Sequence, residues 1–337
     1  MSAIAFFDVA DDDKKRVIEA FPKAIICAEP LSDETAMLAA NCEIISIFVT
    51  SDVSSSVVEK LPKLKFIACR STGYDNVDLA AAHKRGILTS NVPSYGENTV
   101  AEYAFALLLA LARKIPQAID QVRDGEIDTH ELGGIDLAGK TLGVVGTGRI
   151  GSHAISIGRG FGMKVVGFDP FPRLELEGQL GFSYVDFRGL IKTSDIITIH
   201  APLSKTTHHL FDASAFRAMK PTSLLINTSR GEIINTDALT MALNSQKIAG
   251  AALDVIEGEE LLDSQHELQI IRLHKSKKKL QLAAEIAALE KLPNVIISPH
   301  NAFNTTEAVG RIWQTSLDNI RAFQTGKAKN LVEPKKV

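Results

Sequence analysis

The residues that could do chemistry begin with a run of glycines. Residues 146–151 read GTGRIG, directly after the apolar run LGVVG (142–146) and directly before the helix-compatible SHAISIGRGFG (152–162). In that setting Gly146 permits a tight turn and Gly148 lets the backbone approach a pyrophosphate. Gly151 allows a helix to pack closely on a strand, with the anion at the helix N-terminus. An acidic residue completes the pattern: VVGFDP (165–170) carries Asp169, eighteen residues beyond the last glycine, at the tip of the next strand-like run. A carboxylate there accepts hydrogen bonds from both ribose hydroxyls and repels a 2′-phosphate, and Pro170 rather than a basic residue follows it, so the expected cofactor is NAD and not NADP. Hydride exchange between a nicotinamide and a carbonyl needs two more groups, a proton donor and a cation that holds the substrate. Three polar residues stand at the ends of successive strand-like runs in the second half: Arg230 in LLINTSRGEIIN, Glu259 in LDVIEGEE and His300 in IISPHNAF.

Short β-branched runs alternate with amphipathic stretches along the whole chain, which predicts α/β architecture with parallel sheets and crossover helices. The strand candidates of the first third are IAFFDV (4–9), AIICA (24–28), IISIFV (44–49), KFIAC (65–69) and ILTS (87–90). Those of the rest are LGVVG, KVVGFD (164–169), DIITIH (195–200), SLLIN (223–227), AGAALDV (249–255) and NVIIS (294–298). NTVAEYAFALLLALAR, Asn98 to Arg113, is apolar nearly all round and starts on a residue able to cap a helix. It predicts a buried helix that joins the domains or packs on a second subunit. An amphipathic helix is expected from about Thr305 to Thr325. The stretch from Glu257 to Lys291 breaks the rhythm with two helical patterns, LLDSQHELQIIRLH and LQLAAEIAALEKL, around the basic run KSKKK (275–279). It reads as an inserted helical hairpin or a lid, with KSKKK a solvated loop tip.

A length of 337 residues predicts about two domains. Thirty-seven basic against forty acidic residues, net −3, gives no field that would gather nucleic acid or an anionic membrane. Cys27, Cys42 and Cys69 are odd in number, without a CxxC pair or a neighbouring His, and read as reduced core thiols. MSAIAFFDVADDD lacks the features of a signal peptide, and the longest apolar run, Tyr103 to Ala112, is too short for a bilayer. A cytoplasmic protein is expected. No metal site is expected either: the remaining histidines, including the His208–His209 pair, show no metal-ligand pattern and read as surface or loop residues.

At the level of whole motifs the chain resembles the D-isomer-specific 2-hydroxyacid dehydrogenases. The likeness runs through RSTGYDNVDL (70–79), NVPSYGENTVAE (91–102), GVVGTGRIG (143–151), INTSRGEIIN (226–235), GAALDV (250–255) and SPHNAF (298–303). Within the family the D-lactate dehydrogenase branch is most similar, on Tyr95, the extended region after Glu259 and the aromatic Phe303. The resemblance implies that Arg230 holds the 2-keto acid by bidentate bonds and that His300 is the general acid in reduction and the base in reverse. Glu259 would orient His300, a choice over Glu257 and Glu260 that rests on its position five residues after Asp254. Arg149 and Ile150 would meet the pyrophosphate, and Ala201, Pro202 and Thr207 would line the adenosine side. Thr228, Ser229 and Asp254 would surround the nicotinamide ribose and carboxamide. The backbone of Ser71, Thr72, Gly73 and Tyr74 would offer N–H groups to the substrate carboxylate, with Tyr95 and Phe303 shaping the pocket wall.

The family resemblance also implies an order of domains. Residues 1–97 plus 301–337 would form a discontinuous substrate-binding domain, and 98–300 an NAD-binding Rossmann domain carrying the helical insertion at about 257–292. Both would be doubly wound parallel-sheet domains, Rossmann-like or flavodoxin-like, with the active site in the cleft between them. The expected reaction is NADH-dependent reduction of pyruvate to D-lactate, in a homodimer formed through the helix at 98–113. A longer or aromatic 2-keto acid, hydroxypyruvate or glyoxylate is the alternative substrate. An NAD-sensing scaffold like the family's co-repressors, or an NAD-binding structural subunit without turnover, is the alternative role. Formate oxidation is disfavoured, because that branch typically carries Gln at the Glu259 position.

Overall fold

A computed structural model describes residues 3–259 and 277–333. Among them the strands are, in chain order, β1 (Ile4–Phe6), β2 (Ile25–Ile26), β3 (Ile44–Ile47), β4 (Phe66–Cys69), β5 (Leu88–Ser90), β6 (Thr141–Val145), β7 (Lys164–Phe168), β8 (Ser183–Tyr184), β9 (Ile196–Ile199), β10 (Leu224–Asn227), β11 (Gly250–Leu253), β12 (Val295–Ile297) and β13 (Leu331–Val332). The chain divides into two compact units, Met1–Tyr95 with Thr305–Val337, and Gly96–Asn304.

The first unit holds the sheet β13-β5-β4-β3-β1-β2, parallel except for β13, which pairs antiparallel with β5. Its order β2-β1-β3-β4-β5 is that of a flavodoxin-like doubly wound sheet. The helix Thr306–Gln324 lays Trp313, Leu317 and Ile320 on Phe6 and Phe66 of this sheet, and Phe323 stacks on Phe66 at 4.4 Å between ring centroids. Thr305 caps that helix by accepting from the Ala308 N–H. Cys42 and Cys69 lie buried in the core and Cys27 is half-buried. All three thiols are free, and burial pushes Cys69 up to about 12.

The second unit holds the parallel sheet β12-β11-β10-β9-β6-β7-β8, a Rossmann order whose direction of winding switches between β6 and β9. Its strands are near-continuous apolar runs because both faces are covered. Ile197, Ile199 and Leu225 enter one core cluster, while Ile196, Leu224 and Ile226 enter the other. The described part of the 257–292 insertion includes the helix Lys277–Leu289, whose Ile286 and Leu289 are buried in the first of these clusters. The pattern LLDSQHELQIIRLH and the start of KSKKK lie outside the described residues.

Several expectations change. The buried helix runs Glu97–Ala112 and is capped by Gly96; Asn98 lies inside its first turn and donates to Glu102. Its Ala101, Ala104, Phe105, Leu108 and Leu111 are spent on a core cluster of its own unit, shared with Ala154 and Ile155 of the helix Arg149–Gly160. That face is therefore not a free subunit surface. Residues 301–304, expected in the first domain, fall in the second unit, where the N–H groups of Asn301 and Ala302 are held by Asp254 at 2.8 Å each. The short edge strands β8 and β13 were not foreseen, and AIICA yields only the two-residue β2.

Candidate functional site

The loop between β6 and the helix Arg149–Gly160 is shaped by backbone contacts that only glycine tolerates. Gly146 has φ +90°, and a Cβ on it would sit 2.6 Å from the His200 carbonyl oxygen; a Cβ on Gly151 would overlap the Gly146 carbonyl. The helix N-cap is Gly148, which has no side chain to accept from the first N–H groups. Around Gly148 itself a Cβ would meet no protein atom within 4 Å. Open space at the N-terminus of a twelve-residue helix leaves room for an anion there.

Asp169, at the tip of β7, is half-buried. Its Oδ2 accepts from the Thr147 N–H (2.9 Å) and hydroxyl (3.3 Å), and its Oδ1 from the Phe171 N–H (3.0 Å). It thus fixes the glycine loop, and a carboxylate with about four acceptor positions keeps capacity for a further donor. Thr147 is also held by the Tyr184 hydroxyl (2.7 Å) and through its carbonyl by Arg173 (2.9 Å).

After β9 the chain passes His200, Ala201 and Pro202. The Thr207 hydroxyl donates to the Pro202 carbonyl at 2.7 Å and closes the turn, and Ser229 donates to the Ala201 carbonyl. After β10, Asn227 accepts from the Ser229 N–H (3.0 Å) and donates to the Arg230 carbonyl (2.9 Å), setting the bend from which the Arg230 side chain leaves. After β11, the buried Asp254 accepts from the Ser298 hydroxyl (2.6 Å) and from the two N–H groups already named. It is the anchor of the 298–302 turn. His300 occupies that turn at φ +50°, held by its N–H to the Asp254 carbonyl at 2.9 Å. A non-glycine residue in this conformation stores strain that the surroundings must hold. Its ring Nδ1 lies 2.9 Å from Glu259 Oε1.

Two buried polar atoms at the ends of neighbouring strands have no hydrogen-bond partner among the described residues: His200 Nδ1 after β9 and Thr228 Oγ1 after β10. Burial pushes His200 down to about 4, so its ring is neutral at physiological pH. The sequence grouped His200 with the surface or loop histidines, and its buried ring corrects that reading. The available signal was a polar residue at the carboxyl end of the strand beside the switch point.

Ser71, Thr72, Gly73, Tyr74 and Tyr95 lie in the first unit. The loop after β4 is tied by Val92 N–H to the Ser71 carbonyl (2.9 Å), the Thr72 hydroxyl to the Val92 carbonyl (2.8 Å) and the Asn91 amide to the Thr72 carbonyl (2.8 Å). Arg70, just before it, was also missed. Its guanidinium is fully buried, donates to Ser46 Oγ (3.0 Å) and to the Phe7 and Asp8 carbonyls, and lies 4.6 Å from the Trp313 ring centroid. Burial lowers it to about 10.

Residues 105–302 match the family model for the NAD-binding domain of D-isomer specific 2-hydroxyacid dehydrogenases. The chain belongs to that family. It is 38% identical over 299 residues to a D-lactate dehydrogenase of Escherichia coli, covering 88% of each chain. It is 40% identical over 286 residues to a glyoxylate reductase of Thermococcus litoralis, covering 83% of this chain and 80% of that one. Among solved structures, D-lactate dehydrogenase from Aquifex aeolicus complexed with NAD and lactic acid is similar at a TM-score of 0.87 and 34% identity, over 99% of this chain and 100% of that one. This 2-hydroxyacid dehydrogenase is accordingly an NAD-dependent oxidoreductase. The residues present fit that cofactor: the open glycine loop, the acidic Asp169 and the unpartnered Thr228 and His200 atoms line the carboxyl ends of β6, β7, β9 and β10, where a dinucleotide lies on this fold. No helix among the described residues is long and apolar enough to cross a membrane.

Proposed function

We propose that this dehydrogenase reduces pyruvate to D-lactate, with glyoxylate as the competing substrate. The observation that carries the catalytic reading is the His300–Glu259 pair at 2.9 Å, held in a strained turn by Asp254. With Nδ1 engaged by Glu259, Nε2 is the nitrogen left to face a substrate oxygen. In reduction, His300 delivers a proton from Nε2 to the oxygen of the carbonyl, and Glu259 keeps the ring oriented. Arg230 holds the keto-acid carboxylate and C2 oxygen with its planar fork. NADH, when bound, supplies the hydride. Gly146, Gly148, Arg149, Ile150 and Gly151 would hold its pyrophosphate and Asp169 a ribose. Ala201, Pro202 and Thr207 would line the adenosine side, with Thr228, Ser229 and Asp254 at the nicotinamide end. Ser71 to Tyr74 would meet the carboxylate, and Tyr95 and Phe303 would shape the wall. Pyruvate is supported by the likeness to D-lactate dehydrogenases on both sequence and structure, and glyoxylate by the reductase of Thermococcus litoralis.

NADH absorbance across a panel of 2-keto acids tests the reading, with His300→Ala as control. The expected result is a preference for pyruvate that the substitution abolishes. A preference for glyoxylate overturns the substrate, and an unimpaired His300→Ala enzyme overturns the acid. We further propose a homodimer in the cytoplasm. The supporting surface is the stripe Ile115, Ile119 and Val122 on the helix Ile115–Arg123, exposed by 45%, 45% and 68%. Light scattering that gives a dimer for the parent chain and a monomer for Val122→Lys is expected; a monomeric parent refutes it.

A further inference from the structure

The fold brings a distant carboxylate to a pair of adjacent histidines. His208 and His209 end the β9 loop, Glu257 follows β11, and their ligand-type atoms lie within 4.8 Å of one another. Two imidazoles and a carboxylate are a familiar metal set, so the polarity of the bonds around them decides what they can be. Asn235 caps the helix Thr236–Asn244, its Oδ1 accepting from the Ala238 N–H at 2.8 Å. That fixes the amide orientation and points its NH2 group at His209 Nδ1, 3.3 Å away. Nδ1 must accept, so the proton sits on Nε2, which lies 3.2 Å from both Glu257 oxygens and donates to them. A metal on Nε2 would require Nδ1–H, pointed at another donor. The cluster is therefore a hydrogen-bonded chain.

That chain runs through three loops of the same unit. The Thr236 hydroxyl donates to Glu257 at 3.4 Å, and the His209 N–H donates to the Glu232 carbonyl at 2.8 Å. His209 holds φ +52° to make both contacts. Gly231, next to Arg230, packs so tightly on the peptide between Ile256 and Glu257 that a Cβ would overlap it. Glu257 is two residues from Glu259, the partner of His300.

We propose that His209 and Glu257 are positioning residues: the strut Asn235–His209–Glu257 holds the 256–259 turn against the Arg230 loop and thereby sets Glu259 against His300. This inference rests on the reading of Glu259 and His300 as the acid–base pair. Among the described residues the His209 ring hydrogen-bonds to Glu257 and Asn235 and to neither Glu259 nor His300, so its removal acts on the pair through the turn. A lost strut lets a catalytic group drift, and misplacement by about 1 Å can cost up to ~100-fold in turnover.

The test compares His209→Ala, His209→Gln and Asn235→Ser with the parent and with His300→Ala, in steady-state pyruvate reduction and NADH titration. Glutamine restores an N–H donor toward Glu257, and serine keeps the helix cap while removing the amide. The expected result is a kcat lowered about tenfold or more in His209→Ala with the KM for NADH unchanged, recovery to within about threefold in His209→Gln, and an intermediate loss in Asn235→Ser. A kcat within twofold of the parent in His209→Ala overturns the strut, as does a Gln variant no better than the Ala variant. If His209→Ala does not fold, a parent-like kcat in Asn235→Ser overturns it equally. If His300→Ala turns over like the parent, the acid–base reading itself has failed, which is a different result from a strut without effect.

Discussion

Replacing Gly148 with alanine adds one methyl group at a place where the protein offers no opposing atom within 4 Å, whereas the same change at Gly151 drives a methyl into the Gly146 carbonyl. The two variants therefore separate cofactor space from packing space. Gly148 has φ −64°, outside the left-handed region that favours glycine. Losing a glycine at the helix cap costs about 0.5–1 kcal/mol, and the lower freedom of the unfolded chain returns about 0.4–1 kcal/mol. The net effect on folding is then within ~1 kcal/mol, a change of less than about 4 °C in melting temperature for a chain of this size. If that open space belongs to the pyrophosphate, the methyl meets the cofactor, and crowding of that kind costs about 1–3 kcal/mol, or roughly 5- to 150-fold in NADH affinity. Gly151→Ala carries the crowding cost of about 1–3 kcal/mol in folding itself and should melt about 2–12 °C lower. NADH fluorescence titration and thermal melts of the two variants measure both quantities. A Gly148→Ala protein that binds NADH within twofold of the parent refutes the assignment of this loop to the pyrophosphate, and a Gly151→Ala protein as stable as the parent refutes the packing argument.

Two further outcomes are expected. His200 is held near 4 when folded against an ordinary 6.5, so the unfolded chain binds the proton more readily; its neutral ring contributes stability that is complete above pH 6.5 and is lost as pH falls through about 4. The difference is about 3 kcal/mol, so a plot of urea midpoints against pH should be correspondingly shallower for His200→Asn, and parallel curves refute it. Asp169→Asn removes the charge that repels a 2′-phosphate and should move the ratio of kcat/KM for NADPH over NADH upward by about tenfold or more. An unchanged ratio refutes the role given to that carboxylate.

The parts of the site that were legible in the sequence are those whose chemistry constrains residue type at short range. A strand, a tight glycine turn and a helix must follow one another within about twenty residues, and the alternation of apolar runs had to be a pair of parallel sheets because nothing else buries such runs on both faces. Strand ends marked Arg230, Glu259 and His300 because polar residues closing apolar runs collect where open α/β sheets bind ligands. The edge strands β8 and β13 escaped because two residues carry no period. The buried Arg70 escaped because its partners, the Phe7 and Asp8 carbonyls, are more than sixty residues away.

The two glutamates after β11 show where local pattern stops and folding takes over. Glu257 and Glu259 have the same side chain and nearly the same sequence neighbourhood, so spacing alone could favour one but could not say what the other does. Folding brings a different imidazole to each: His209, forty-eight residues earlier, donates to Glu257, and His300, forty-one residues later, meets Glu259. A carboxylate that accepts from a histidine whose tautomer an amide fixes is set for holding, whereas under the proposed function the one beside His300 serves proton transfer. The division of labour is decided by Asn235, which caps a helix with one end of its amide and, because that end must be the oxygen, orders the tautomer of His209 with the other.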